Sequence, residues 1–347
     1  MESKIKDKLR RLYRMAKHKL NSPQRDFDVD TLPWIDRPGA DIDAFLARFD
    51  VPVDFPYDLK ELLEQWQNQG YVILKGALPT DWTDALWDEV ETTIDQHKQH
   101  SLKALVYQFN DRKETPIHAV PKEKLNGIGA RLLEYHSSSV MAKQVMTHPH
   151  IATFLKAIFD EPISVFQSLI FKYGSQQDTH QDFPWVRSGI ASHLAAAWIP
   201  LEDVHIDSGP LYYYPGSHRM PKYNFGTGIL HKPDSFFSPD QFSVYLDKTC
   251  DKLRLEKKTL LLKKGDLLVW HGALAHGGNR IGNANLTRKS FVCHYSTVRS
   301  YPKHRLEVPG IDTSPVNYYN DIAIYVNPEN SAEEDKIDVG NTLYQLS

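Results

Sequence analysis

Between residues 57 and 160 apolar positions recur at steps of three and four, and beyond residue 163 they give way to short alternating runs. Leu59, Leu62, Leu63 and Trp66 form one helical stripe, Gly70 stops it, and Tyr71–Leu74 reads as a strand. Thr80 or Asp81 offers a cap for a second helix that turns Trp82, Leu86, Val90 and Ile94 inward. Pro149 opens a third helix carrying Ile151, Phe154, Leu155 and Ile158. The later runs cover 163–173, 193–201, 211–214, 259–262, 267–270, 290–295 and 322–326, each bounded by turn residues. Helices followed by many short strands predict a mainly β fold, a jelly-roll double sheet with N-terminal helices packed on one face.

The first 25 residues follow a different rule. Ile5, Leu9, Leu12, Ala16 and Leu20 share one helical face, and the others carry nine Lys and Arg against Glu2 and Asp7. With a net charge of −3 for all 347 residues, the rest of the chain is acidic. A basic amphipathic helix of this kind is either solvated and packed on the body or laid on an anionic membrane surface, and both readings stay open. Residues 21–56, with five prolines, read as a wrapping segment. The chain therefore divides into an extension (1–50), one large domain (51–300) and a C-terminal tail packing on the core (301–347). No apolar run is long enough to span a bilayer and no secretory signal is present, which predicts a cytoplasmic protein, with peripheral contact at the inner face of a membrane as the alternative. Cys250 and Cys293 have neither zinc-ligand nor disulfide-framework spacing and read as reduced structural thiols. No basic run interleaved with aromatics follows residue 25, so nucleic acid is not an expected partner.

Candidate chemistry centres on His180-Gln181-Asp182. At a strand end, side chains two residues apart point to the same side, so imidazole and carboxylate can grip one ion. A third ligand is available in His276, which follows the run 267–270 in a loop of small residues. Two imidazoles and a carboxylate on one face leave positions open for a chelating oxoacid and O₂, an arrangement typical of iron(II); zinc favours a closed tetrahedron. The tripeptide alone says little among 16 histidines. Asp182 in a surface turn, capping local backbone, is the competing reading.

The ordered set Phe166-Gln-Ser-Leu-Ile-Phe-Lys172, His180-Gln-Asp182, Ala197-Trp-Ile-Pro-Leu-Glu-Asp203, Ser208-Gly-Pro-Leu211, Tyr214-Pro-Gly-Ser-His-Arg219, Lys264-Gly-Asp266, His276-Gly-Gly278 and Arg288 resembles the phytanoyl-CoA dioxygenase family. The resemblance runs from about residue 57 to about residue 300. It implies a double-stranded β-helix of cupin-like type that binds Fe(II) through His180, Asp182 and His276. It further implies that Arg288 pairs with the distal carboxylate of 2-oxoglutarate, which suits a planar, always-charged side chain facing a dianion. Gln167, Lys172, Gln181, Trp198 and Gly278 fall where co-substrate contacts are expected. Gly278 is a departure, because many relatives have a Ser or Thr there.

Arg288 also fits a β-edge arginine, Trp198 a core residue, and Lys172 a side chain snorkelling from the sheet. The Pro215–His218 turn reads as structural, which keeps His218 out of the ligand set. The implied reaction consumes O₂ and 2-oxoglutarate, releases succinate and CO₂, and hydroxylates a C–H bond. Asp182 fills the position a halide would take, which favours hydroxylation over halogenation and leaves desaturation and ring formation open. The substrate class is a small molecule, sugar-like or lipid-linked, with Trp185, Arg187, Arg219 and Tyr223 as candidate contacts. A cupin-type metalloenzyme that does not use 2-oxoglutarate and a non-catalytic binding barrel are the competing functions.

Overall fold

The computed structural model describes residues 26–107, 114–302 and 316–325. The basic helix expected in residues 1–25 and most of the C-terminal tail lie outside the described residues.

The helices are α1 (Ile42–Leu46), α2 (Leu59–Gln69), α3 (Thr80–Asp95), α4 (Lys122–Leu125), α5 (Val140–Met146), α6 (Pro149–Phe159) and α7 (Pro239–Lys252). Asp58 starts α2 by accepting from Glu61 N–H at 3.1 Å, and Gly70 ends it at φ +75°, a conformation that costs glycine nothing. α3 departs from expectation at its first turn. Pro79 occupies the N-cap, leaving Thr80 and Asp81 inside the helix, where Asp81 faces the positive end of the helix dipole. α6 opens on Pro149 as expected. α7, absent from the sequence reading, is fixed by a capping box between Ser238 and Gln241.

The strands are β1 (Tyr71–Leu74), β2 (Lys103–Val106), β3 (Thr115–Pro116), β4 (Ala130–Leu133), β5 (Ile163–Phe171), β6 (Ala195–Pro200), β7 (Leu211–Tyr213), β8 (Lys258–Thr259), β9 (Leu267–His271), β10 (His276–Gly278), β11 (Ser290–Thr297), β12 (Val316–Tyr319) and β13 (Ile322–Tyr325). The major sheet runs β1-β9-β6-β11-β5-β4-β2-β3, with the β12–β13 hairpin joining β5 where Ala323 lies opposite Ser164; the minor sheet runs β10-β7-β8. Most of the expected strands form with trimmed ends. The run 259–262 keeps only Thr259 in the ladder, because after Leu260 N–H bonds the Leu211 carbonyl at 2.8 Å the pairing stops. Three strands that precede residue 163, β2 to β4, extend the major sheet.

Alternation divides two apolar cores. Val72, Ala195, Ala197, Phe291 and Cys293 face the helices, while Tyr71, Ala196, Trp198, Trp270 and Val292 face the minor sheet. β6 is buried along its whole length, as a strand covered on both faces must be. A bulge in the β5–β11 pairing separates His294↔Gln167 from Tyr295↔Val165. The extra residue reverses parity along β5. Ile163 and Val165 belong to the helix-side core, whereas Gln167, Leu169 and Phe171 line the space between the sheets.

Candidate active site

Between the sheets lies a cavity of about 740 Å³ whose lining includes His180, Asp182, His276, Arg288, Trp198 and Trp185. His180 and His276 stand on segments far apart in sequence, yet their backbones exchange two hydrogen bonds, His180 N–H to the His276 carbonyl at 2.8 Å and the reverse at 2.9 Å. Asp182 is placed by its own N–H on the Gly272 carbonyl at 3.0 Å. One ligand atom from each residue lies within 4.8 Å of the others.

The hydrogen bonds behind these side chains fix their chemistry. His180 Nδ1 contacts the Asp178 carbonyl at 2.8 Å and His276 Nδ1 the Leu274 carbonyl at 3.0 Å. A carbonyl only accepts, so in each ring Nδ1 carries the proton and Nε2 turns its lone pair to the common point. Asp182 Oδ2 accepts from Trp270 Nε1 at 2.8 Å, which leaves Oδ1 facing His276 Nε2 at 3.6 Å and His180 Nε2 at 3.9 Å. Burial, reinforced by the neighbouring His276 ring, lowers the His180 pKa to about 4, which keeps it neutral, the form that can ligate a metal. Burial opposes ionisation of Asp182, but the imidazoles of His276, His294 and His180 outweigh it and hold its pKa well below the usual carboxylate range. Two imidazole Nε2 atoms and a carboxylate converging on one point fit a divalent iron ion.

Arg288 is buried, and burial lowers its pKa to about 10, which leaves it charged at neutral pH. Its Nη1 donates to the Gly209 carbonyl at 3.2 Å and its guanidinium lies 5.5 Å from the Trp198 ring, while its Nε has no hydrogen-bond partner. A buried cation with an unused donor on a cavity wall fits a carboxylate ligand. Gln167, Gln181 and Trp198 also line the cavity; Gln181 is clamped by its amide to the Ala273 carbonyl. Lys172 turns elsewhere, its ammonium donating to Asn126 Oδ1 at 2.8 Å. Gly278 is explained by space: a β-carbon there would sit 2.7 Å from Ser175 Oγ and 2.8 Å from Gln176 N.

Of the candidate substrate contacts, Trp185 and Arg187 stand on the cavity, with Trp185 37% exposed and stacked on His231 at 5.7 Å. Arg219 points away from it, donating to the Asn68 carbonyl at 2.8 Å, and Tyr223 packs in an aromatic cluster with Phe225 and Phe242. His218 stays outside the ligand set, its Nε2 3.3 Å from the Gln67 carbonyl. Sequence reasoning missed Arg131 and His294, which also line the cavity. The parity of β11 carried a signal: with Arg288 and Val292 inside, His294 is inside as well. Arg131 lies on a strand that periodicity did not reveal.

Known proteins are similar to this chain in sequence and in fold. The sequence profile of the family "Phytanoyl-CoA dioxygenase (PhyH)" matches residues 66–290. Phytanoyl-CoA dioxygenase domain-containing protein 1 of Danio rerio is 23% identical over 247 residues, which span 62% of this chain and 82% of the relative. Against several other curated relatives the chain spans only about 60% of their length. The epimerase SnoN, solved with Fe3+, alpha ketoglutarate and nogalamycin RO, is similar in fold at a TM-score of 0.54 and 16% identity, covering 77% of this chain and 98% of that one. EctD from S. alaskensis, solved with 2-oxoglutarate and 5-hydroxyectoine, gives 0.53 and 16%, covering 77% and 85%. With the profile spanning most of the chain and its region containing the His180, Asp182 and His276 cluster and the buried arginine, the chain belongs to the phytanoyl-CoA dioxygenase family of iron- and 2-oxoglutarate-dependent oxygenases.

Proposed function

We propose that this chain hydroxylates a C–H bond of a small polar molecule carrying an anionic group, which enters between Trp185 and Arg187 and reaches the metal-facing end of the cavity. The observation that carries the reading is the cavity itself. At about 740 Å³ it exceeds what a five-carbon dicarboxylate fills, and beside Arg288 its wall carries Arg131 and Arg187, with Glu114, Asp178 and Asp240 also lining it.

With iron(II) and 2-oxoglutarate bound, O₂ is consumed, succinate and CO₂ are released, and the oxidising equivalents insert one oxygen atom into the substrate C–H bond. The chain's own residues prepare that chemistry. His180 and His276 hold their Nε2 lone pairs fixed through Nδ1, and Trp270 orients Asp182. Arg288 holds the distal carboxylate, and the apolar inner core around Trp198 and Val292 keeps water from its side of the cavity. Trp185 and Arg187 offer the substrate a ring face and a cation at the entrance.

The reading is tested by anaerobic addition of iron(II) and 2-oxoglutarate, which should give the visible charge-transfer band of the chelate, followed by a metabolite screen for substrate-stimulated succinate release. No band in the wild type would sink it. A Michaelis constant for the substrate that is unchanged in Arg187→Ala would remove the anion-binding entrance. A lipid-linked substrate is a second reading, favoured by the nine Lys and Arg among residues 1–25. Equal partitioning of the full chain and a chain starting at residue 26 on anionic vesicles would discard it.

A further inference from the structure

Gly278 lies two residues beyond His276 on β10, so a side chain there would project to the same side of the strand as His276. The space that a side chain at 278 would fill is taken by Ser175, whose hydroxyl oxygen lies 2.7 Å from where that β-carbon would stand. The loop holding it is pinned. Gly174 rests against Gly209, where a β-carbon on Gly174 would come within 2.7 Å of the Gly209 carbonyl, the same oxygen that accepts from Arg288 Nη1 at 3.2 Å. Arg288 and Gly174, the residue before Ser175, are thus neighbours of one backbone oxygen, and Ser175 and Arg288 both line the cavity. Ser175 Oγ is engaged by a single long contact from Gln177 N–H at 3.4 Å, in which it accepts, so its own proton is available to a ligand.

We infer that the Ser175 hydroxyl is a second donor to the distal carboxylate held by Arg288, standing in from the opposite loop for the side chain that Gly278 lacks. The inference rests on 2-oxoglutarate binding at Arg288 as proposed above. Ser175 is a positioning residue: it fixes the rotation of the carboxylate and, through it, the direction in which the oxoacid head meets the metal.

The test is anaerobic titration of the iron(II)-loaded full chain with 2-oxoglutarate, read by the charge-transfer band, for wild type and Ser175→Ala. One hydrogen bond to a charged group corresponds to about tenfold in dissociation constant, which is the loss expected. Binding of 2-oxobutanoate, which has the chelating head and no distal carboxylate, should be equal in the two proteins. Ser175→Thr, which keeps the hydroxyl, should bind 2-oxoglutarate like the wild type. Equal 2-oxoglutarate affinity in wild type and Ser175→Ala overturns the inference. An equal loss for 2-oxobutanoate overturns it too, since that marks a disturbed loop. If the wild type itself binds no 2-oxoglutarate, the proposed function fails, and the inference with it.

Discussion

Trp270→Phe isolates the support given to the Asp182 carboxylate. The indole N–H donates to Asp182 Oδ2 at 2.8 Å and both residues are buried. A hydrogen bond to a charged group contributes about 1.5–3 kcal/mol net, and about 1.4 kcal/mol is a factor of ten, so the variant should bind metal about 10- to 100-fold more weakly. That range is typical of partners that orient a ligating group. Phenylalanine keeps a ring in the core between the sheets, and the missing atoms lower stability by on the order of 1–2 kcal/mol. The two effects are read separately. Thermal unfolding of the metal-free protein reports packing, and anaerobic manganese(II) titration, followed by the magnetic resonance signal of the free aqueous ion, reports affinity. Trp198→Phe is the control. Its indole nitrogen has no hydrogen-bond partner, so removing it takes nothing from Asp182 and metal affinity should stay at the wild-type value. Equal metal affinity in the two variants would refute the reasoning.

Arg288→Lys should leave metal binding intact and weaken 2-oxoglutarate binding by at least about 30-fold, because a buried charge pair loses 2 kcal/mol or more when its planar, two-pronged partner goes; undiminished affinity in calorimetry would count against Arg288 as the anchor. Gly278→Ala places a methyl group 2.7 Å from Ser175 Oγ and should lower both the melting temperature and 2-oxoglutarate affinity, whereas a melting temperature at or above wild type would show that the loop yields freely. The His148 pKa is lowered to about 4 by burial and by His150, and that of His218 is well below its ordinary value through burial and His271. The unfolded chain takes up these protons below about pH 6.5 and the folded one does not, so stability is complete above that pH and falls toward pH 4 by up to about 1.4 kcal/mol per pH unit for each ring. His148→Gln should flatten the acid side of the curve of melting temperature against pH, and an unaltered slope would contradict the assignment.

The grouping of His180, Asp182 and His276 was legible because two signals agreed, the His-x-Asp spacing and the order of motifs around it. The major helices were legible because their apolar stripes face one continuous core. What escaped depended on tertiary pairing. β2 to β4 are short and partly polar, with Arg131 turned into the cavity, so neither length nor alternation marks them. α7 buries only Phe242, Leu246 and Cys250, too thin a stripe to announce a helix. The orientation of Gln167 hangs on the bulge opposite His294, which no pattern within β5 encodes. Arg219, Tyr223 and Lys172 stand close to site motifs in sequence and turn elsewhere in space, because the tight turn at Gly216 and the end of β5 carry them past the cavity.

The reciprocal backbone bonds between His180 and His276 have a consequence for metal choice. They tie together the two segments that carry the imidazoles through backbone bonds that need no ion. A centre that is already assembled has little left to rearrange on loading, so binding follows the intrinsic order of the ions, in which nickel and copper exceed iron(II). Such preassembly would leave strain little part in refusing the wrong metal. Iron loading must follow from which ions are available when the chain folds, and protein purified without added iron should carry whichever competing ion its surroundings supplied.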